Sequence, residues 1–300
     1  MNISSVRFLF LSLFCFLTTI HSGLHNEPAV LVKKHIIFDL NGVLLKTDTL
    51  KAVRELGLTT LIGYSLTTGK KPSDIKNVLF KTFNTIQPTG NDCDASDPCG
   101  LPLPGLLCDW LKGTKTSEEL RKLVLPAIKK NKQWFTNNSE QQLIYRTARM
   151  MFNPKRLCNT VTLIKEGLRF VIECKKKGYA VYVLSNFDTE TFDLIKEKYP
   201  QLFELFDGII VSGNVHLIKP MPEIYELFTK KLPAQNCIFI DDQEENIYAA
   251  QGCGITAIHC HKKSPGLLGL GSNPDFDEVR KQFAKIEHVG PELSPTIDFA

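Results

Sequence analysis

His35-Ile36-Ile37-Phe38-Asp39-Leu40-Asn41-Gly42-Val43-Leu44 is the stretch whose reading decides the fold. An apolar run without period-two alternation suits a strand covered on both faces, and the polar cluster at its end marks where the strand stops. Three more runs end the same way. Ser185-Asn186 follows Val181-Tyr182-Val183-Leu184, Lys219-Pro220 follows Val215-His216-Leu217-Ile218, and Asp241-Asp242 follows Cys237-Ile238-Phe239-Ile240. In open parallel sheets, ligands bind at the carboxyl ends of strands, so residues just past several strands converge in space.

The residue types assembled there suit a metal and a phosphate. Mg²⁺ prefers carboxylate oxygens and phosphate, which fits Asp39 with Asp242. A carboxylate can attack phosphorus and form an aspartyl-phosphate, splitting one hard hydrolysis into two easier steps. Lys219 would offset charge on nucleophile and phosphate, and Ser185 would donate a hydrogen bond to a phosphate oxygen. Taken singly, each piece has a plainer reading. An Asp after a strand is commonly a turn or helix cap, Asp-Asp before a helix a common N-cap, and Lys-Pro a surface turn. All four in this order, each past its own apolar run, are hard to obtain by chance.

On these residues the chain resembles the haloacid dehalogenase-like superfamily, in the branch with an α-helical cap between its first and second motifs. Asp39-Leu40-Asn41-Gly42-Val43-Leu44 resembles the first motif, Ser185-Asn186 the second and Lys219-Pro220 the third. Asp241-Asp242-Gln243-Glu244-Glu245-Asn246 resembles the fourth, with Ala249-Ala250 and Gly252 at the end of its helix. The resemblance covers about residues 35–50 and 160–260. It implies a Rossmann-like parallel sheet sandwiched by helices, with Asp39 as nucleophile. It places Mg²⁺ on Asp39, Asp242 and the Asn41 carbonyl, with Asp241 as a second carboxylate nearby and Asn246 as outer support. Ser185, Asn186 and Lys219 are the implied phosphate binders.

One position departs from the family. Its phosphatases carry a second Asp two residues after the nucleophile, serving as acid to the leaving group and then base to water. Here that residue is Asn41, whose amide cannot exchange a proton at neutral pH; such catalysis is typically worth about 10²–10⁴-fold. Asn41-Gly42 is also a pair prone to deamidation, because glycine leaves the amide carbon unshielded. The expected function is a Mg²⁺-dependent phosphatase acting on a small phosphorylated metabolite. The alternative, motivated by Asn41, is a weakened or non-catalytic relative that binds a phosphorylated ligand or partner. The third is a dehalogenase-type hydrolase, which attacks carbon without a metal. Asp241-Asp242 argues against it, since two crowded carboxylates would lack a counter-charge.

Residues 160–177, 188–198, 222–231 and 244–251 read as helices alternating with strands 179–185, 207–212, 237–241 and 255–260. Such alternation implies right-handed crossovers and a parallel sheet. Between Leu44 and about Asn159 no strand is convincing, and apolar positions recur at helical spacing in 49–63, 74–84, 117–130 and 139–151. Thr116-Ser117-Glu118-Glu119 is a capping box. Pro and Gly cluster over 88–105, marking a long loop. The expected organisation is a core of 35–50 and 160–262, a helical cap of 51–159, and a C-terminal extension of 263–300. The extension opens with a Gly-rich connector, Gly266–Gly271, and carries a last helix near 275–285.

The 300 residues, 43% hydrophobic, can bury a substantial core. A net charge of +4, with short dispersed runs such as Lys175-Lys176-Lys177, does not suggest a nucleic-acid partner. At the amino terminus one charge at Arg7 precedes an apolar run from Phe8 to Ile20, with small Ser22 and Gly23 after it. This is the layout of a secretory signal peptide over residues 1–22, leaving no membrane span after cleavage and an exported protein. The alternative is an uncleaved membrane anchor. Among nine cysteines, Cys93 and Cys99 flank a polar turn and could close a loop in an oxidising compartment, with Cys108 nearby. No pair has zinc-ligand spacing. Asp92, Asp94 and Asp97 lack the glycine and the final acid of a calcium loop.

Overall fold

The computed structural model describes residues 34–88, 102–263 and 273–288. The expected signal segment, the Cys93–Cys99 pair and the Gly266–Gly271 connector lie outside the described residues. The chain enters through β1 (His35–Phe38) and β2 (Leu45–Thr47). A helical stretch comes next: α1 (Thr49–Leu56), α2 (Leu58–Thr68), α3 (Ile75–Ile86), α4 (Gly105–Leu111), α5 (Ser117–Lys130), α6 (Asn138–Met151) and α7 (Pro154–Thr160). Strand β3 (Val161–Leu163) returns antiparallel to β2, pairing Leu45 with Leu163, so the two strands frame the helical stretch at its root. The chain then alternates through α8 (Lys165–Lys176), β4 (Ala180–Ser185), α9 (Thr189–Lys198), α10 (Pro200–Phe203), β5 (Gly208–Val211), α11 (Ser212–Val215) and α12 (Pro222–Thr229). It ends with β6 (Cys237–Asp241), α13 (Glu244–Gly252), β7 (Thr256–His259) and α14 (Phe276–His288).

The main sheet is parallel in the order β5-β4-β1-β6-β7, with β1 at its centre. Both faces of β1 are covered, as its unbroken apolar run requires. Ile36 and Phe38 pack with Phe170 and Val171 of α8, Phe192 of α9 and Phe276 of α14. Ile37 packs on the other face with Ile224, Tyr225 and Phe228 of α12 and Ala250 of α13. The helical stretch has its own core of Phe83, Leu106, Trp110, Leu120, Val124, Ile144 and Phe152, joined by Ile218 from the loop before Lys219.

Several local expectations give way. The helix expected over 160–177 is α7, then β3, then α8. Asn153 caps α7, its side chain accepting from Arg156 N at 3.0 Å with Pro154 at the first helical position. Backbone pairing to β2 then pulls 161–163 into a strand. The helix expected over 49–63 is two, broken at Gly57, which ends α1. Helix α4 begins at the edge of the stretch read as loop, where Pro104 precedes it and Leu106, Leu107 and Trp110 are buried. The expected cap limits, 51 and 159, fall inside α1 and α7. The last helix reaches three residues beyond 285 and is packed on the core through Phe276, Val279 and Phe283. Among the described residues, no helix is long and apolar enough to cross a membrane.

Candidate active site

From β1 the chain moves outward to β4 and β5, then recrosses to β6 and β7 on the other side. The reversal opens a crevice at the carboxyl ends of β1 and β6. Asp39 stands there, its N–H donating to Ile240 O at 2.9 Å. Ser185 is the last residue of β4 and Asp241 the last of β6. Lys219 comes from the loop after α11, where Lys219-Pro220 is a cis peptide.

Hydrogen bonds join these residues into one buried cluster. Ser185 Oγ donates to Asp39 Oδ1 at 2.9 Å, and Lys219 Nζ donates to the same oxygen at 2.9 Å. Lys219 Nζ also donates to Asp241 Oδ2 at 2.6 Å. The Lys219 side chain is only 2% exposed and lies 5.3 Å from the centre of the Phe239 ring. The Asn186 side chain braces the backbone of that lysine. Its Nδ2 donates to Lys219 O at 2.9 Å, and its Oδ1 accepts from Lys219 N at 2.8 Å. Asp241 is saturated: besides Lys219 it accepts from Gln243 N at 2.8 Å and, on both oxygens, from Asn246 Nδ2 at 3.1 Å. Asn246 is held in turn by Tyr225, whose hydroxyl donates to its carbonyl at 3.1 Å.

The electrostatics stem from three carboxylates in a dry place. Burial raises the pKa of Asp39 to about 7; Lys219 opposes the rise, and Asp241 and Asp242 add to it. For Lys219, burial disfavours the charge, but Asp241 and Asp39 outweigh it and hold the ammonium above its ordinary pKa. Burial also raises Asp242, helped by Asp241 and resisted by Lys262.

Oxygens of Asp39, Asp241 and Asp242 lie within 4.8 Å of one another, so one ion could reach all three. Asp242 Oδ1 is buried with no hydrogen-bond partner, whereas Asp241 is fully engaged. With two further carboxylates beside that oxygen, the all-oxygen set would suit a hard cation such as Mg²⁺. Gly42 makes room for this arrangement. With φ of 92°, it approaches Asp242 so closely that a Cβ would lie 2.3 Å from Oδ2. Asn41 beside it is exposed, and its backbone bridges to Leu45.

The structure therefore brings Asp39, Ser185, Lys219, Asp241, Asp242 and Asn246 together, with Asn41 at the rim and Asn186 behind Lys219. Sequence reasoning missed the contribution of the segment around the end of β7. His259 Nε2 lies 3.2 Å from Asp242 O, and Lys262 Nζ lies 3.1 Å from Asp242 Oδ2. No motif marks these residues; the only clue is that they end an apolar run parallel to the one carrying Asp241-Asp242.

Comparison with known proteins gives relatives for the chain. The chain is 37% identical over 89 residues to the sesquiterpene phosphatase astK of Aspergillus oryzae, covering 29% of this chain and 45% of that protein. It is 32% identical over 108 residues to bifunctional epoxide hydrolase 2 of Mus musculus, covering 34% and 20%. The match thus spans less than half the length of either curated relative. Among solved structures, a HAD-like family hydrolase of Porphyromonas gingivalis superposes with a TM-score of 0.50 at 17% identity, covering 85% of this chain and 98% of the other. A HAD family enzyme of Bacteroides thetaiotaomicron gives 0.50 at 18% identity, covering 77% and 95%. These two likenesses concern the fold. The family profile of haloacid dehalogenase-like hydrolases matches residues 33–254, and the chain belongs to that family of hydrolases.

Proposed function

We propose that this hydrolase is a Mg²⁺-dependent phosphomonoesterase that acts on a small phosphate ester through an aspartyl-phosphate on Asp39. The observation that carries the reading is the division of labour among the buried carboxylates. Asp241 is neutralised by Lys219, while Asp242 keeps an oxygen without a donor beside the nucleophile. The phosphatase among its relatives supports the same reading.

Asp39, Asp242 and the Asn41 carbonyl would hold Mg²⁺, which supplies charge neutralisation at the phosphate and keeps Asp39 ionised. Ser185 and Lys219 fix Asp39 through Oδ1, leaving Oδ2 to attack phosphorus. The new bond is Asp39 O–P; the bond that breaks joins phosphorus to the ester oxygen, which leaves with its electron pair. Water then attacks the acyl-phosphate, releasing phosphate and restoring the carboxylate. Lys219 and Ser185 offset charge on the transferring group at both stages. Asn41 can neither protonate the leaving oxygen nor take a proton from water, so solvent must do both. Fast turnover is expected only where the leaving group is already acidic.

In this reading residues 35–50 and 160–262 form the catalytic core. Residues 51–159 form the cap that selects substrate and excludes water, and 263–300 are an extension. Export is part of the proposal, supported by the apolar run Phe8–Ile20. The second reading, a phospho-ligand binder, is favoured by Asn41 alone. Phosphate release from aryl and alkyl phosphates, with Mg²⁺ and with EDTA, tests the proposal. Activity abolished by EDTA and by Asp39→Asn is expected. Activity surviving Asp39→Asn would overturn the aspartyl-phosphate route, and phosphate-ester binding without release would favour the binder.

A further inference from the structure

One stretch of chain at the end of β7 holds the Asp241-Asp242 pair, and two of its contacts fall on Asp242 itself. Strand β7 runs parallel beside β6, pairing Asp241 with His259. Just past that pair, Cys260 N donates to Asp241 O at 2.8 Å, and the His259 ring meets Asp242 O at 3.2 Å. The Lys262 ammonium then reaches back to Asp242 Oδ2 at 3.1 Å. Lys262 is not a loosely tethered surface lysine. Its backbone bridges to Pro274, Lys263 N donates to Asn273 O at 2.9 Å, and Asp275 N donates to His261 O at 2.7 Å. The Asp242 side chain it contacts is 3% exposed. The two oxygens of that carboxylate are thus unlike: Oδ2 has Lys262, and Oδ1 is buried without a partner.

We propose that Lys262 is a positioning residue for the metal site, holding Oδ2 of Asp242 so that Oδ1 faces the cation. Carboxylates that bind metals are themselves held by outer hydrogen bonds, and losing such a partner typically weakens metal binding by about 10–100-fold. The geometry satisfies that requirement here. A carboxylate fixed at one oxygen loses its freedom to rotate, so less order remains to be imposed when the ion binds. Gly42, packed against the same carboxylate, closes the remaining side. The Lys262 side chain is 39% exposed, so water screens its repulsion with the ion.

The inference rests on the proposed Mg²⁺ dependence, and calorimetric titration separates the two. Mg²⁺ is titrated into wild type, Lys262→Met and Lys262→Arg, all metal-free at the start. The expected result is binding weakened about tenfold or more in Lys262→Met, with most of it restored in Lys262→Arg, which keeps a charged donor. Metal-free melting temperatures are measured alongside, so that affinities are compared only between variants that remain folded, since removing Lys262 leaves a buried carboxylate without its counter-charge. Equal affinity in wild type and Lys262→Met would overturn the positioning role while leaving the metal site standing. Tighter binding in Lys262→Met would also overturn it, making Lys262 a competing counter-charge. Wild type that binds no Mg²⁺ would remove the metal reading and this one together. Should Lys262→Met fail to fold, Lys262→Gln against Lys262→Arg carries the same comparison.

Discussion

At Asn41 one oxygen has been exchanged for a nitrogen in a cluster otherwise complete. Asp39, Ser185 and Lys219 are already bonded to one another, so Asn41→Asp restores a single function. It should raise kcat on an alkyl phosphate by a factor approaching 10²–10⁴, with little gain on an aryl phosphate, whose leaving group needs no proton. Steady-state rates on both esters check this, and no gain on either would remove the missing-acid account. Peptide mapping of the starting protein must precede it, given the Asn41-Gly42 pair. A second residue-scale expectation concerns Asp188, which caps α9 by accepting from Thr191 N at 2.8 Å. Its Oδ2 is buried without a partner, and burial raises its pKa to about 6. Between the ordinary value near 4 and about 6, the folded state holds a proton that the unfolded chain has lost. This contribution is therefore full at low pH and disappears as pH rises through 6. Asp188→Asn keeps the cap and removes the charge. Urea unfolding at pH 5 and pH 8 should show a smaller pH difference in the variant, by at most about 1.5 kcal/mol. An unchanged difference would mean that Asp188 is not the titrating group.

Among the elements, what the sequence discloses depends on how long a pattern runs. The strands β1, β4 and β6 are unbroken apolar runs with polar ends, and a buried parallel strand allows little else. Helices α5 and α6 repeat apolar residues over several turns, and α5 carries its capping box as expected. Strands β2 and β3 have three residues each, too few for any period to register; only their pairing makes them strands. Helix α4 comes after a stretch dense in proline and glycine, and tertiary burial of Leu106 and Trp110 decides its state. Of the candidate site, the gathering of Asp39, Lys219, Asp241 and Asp242 was legible because each stands just past an apolar run. The second task of Asn186 and the reach of Lys262 were not, because both depend on contacts between distant segments. One such contact joins the helical stretch to the core. Ser212 Oγ donates to Leu111 O at 2.6 Å, and Ser117 N donates to Glu190 Oε2 at 2.8 Å. Between them Gly113, with φ of 68°, lies so close that a Cβ would be 2.3 Å from Gly213 O. Gly113→Ala should push α4 away from α11. We expect a loss of about 1–3 kcal/mol in urea unfolding, together with a raised KM if the helical stretch closes over the substrate. Wild-type stability and KM would show that the contact is dispensable.

For the molecule as a whole, α14 shows how far stability and chemistry can be separated. Phe283 meets Phe170 edge to face and Phe276 meets it tilted, with ring centres 5.4 and 5.8 Å apart, and Phe170 in turn meets Phe38 at 6.1 Å, immediately before Asp39. Arg280 donates to both oxygens of Glu173 on α8 at 2.9 and 2.8 Å, and Lys34 Nζ donates to Ile286 O at 2.8 Å. The last described helix therefore covers one face of the sheet, completing the layer that α8 and α9 begin. Phe283→Ala should leave a cavity beside Phe170 and cost about 3–5 kcal/mol, a large share of the roughly 5–15 kcal/mol that holds a domain folded. The catalytic cluster should not feel this directly. Asp39 is fixed by its N–H bond to Ile240 O and by Ser185 and Lys219, none of which belongs to α14. Urea unfolding should thus show a lowered midpoint with an unchanged slope. At low temperature and without denaturant, kcat and Mg²⁺ affinity should stay close to wild type. If instead Mg²⁺ binding falls along with stability, α14 must act on the site through its neighbours. The route would be Asp275 and Pro274, which hold the arm carrying Lys262, and the tail helix would then belong to the metal site as well as to the core.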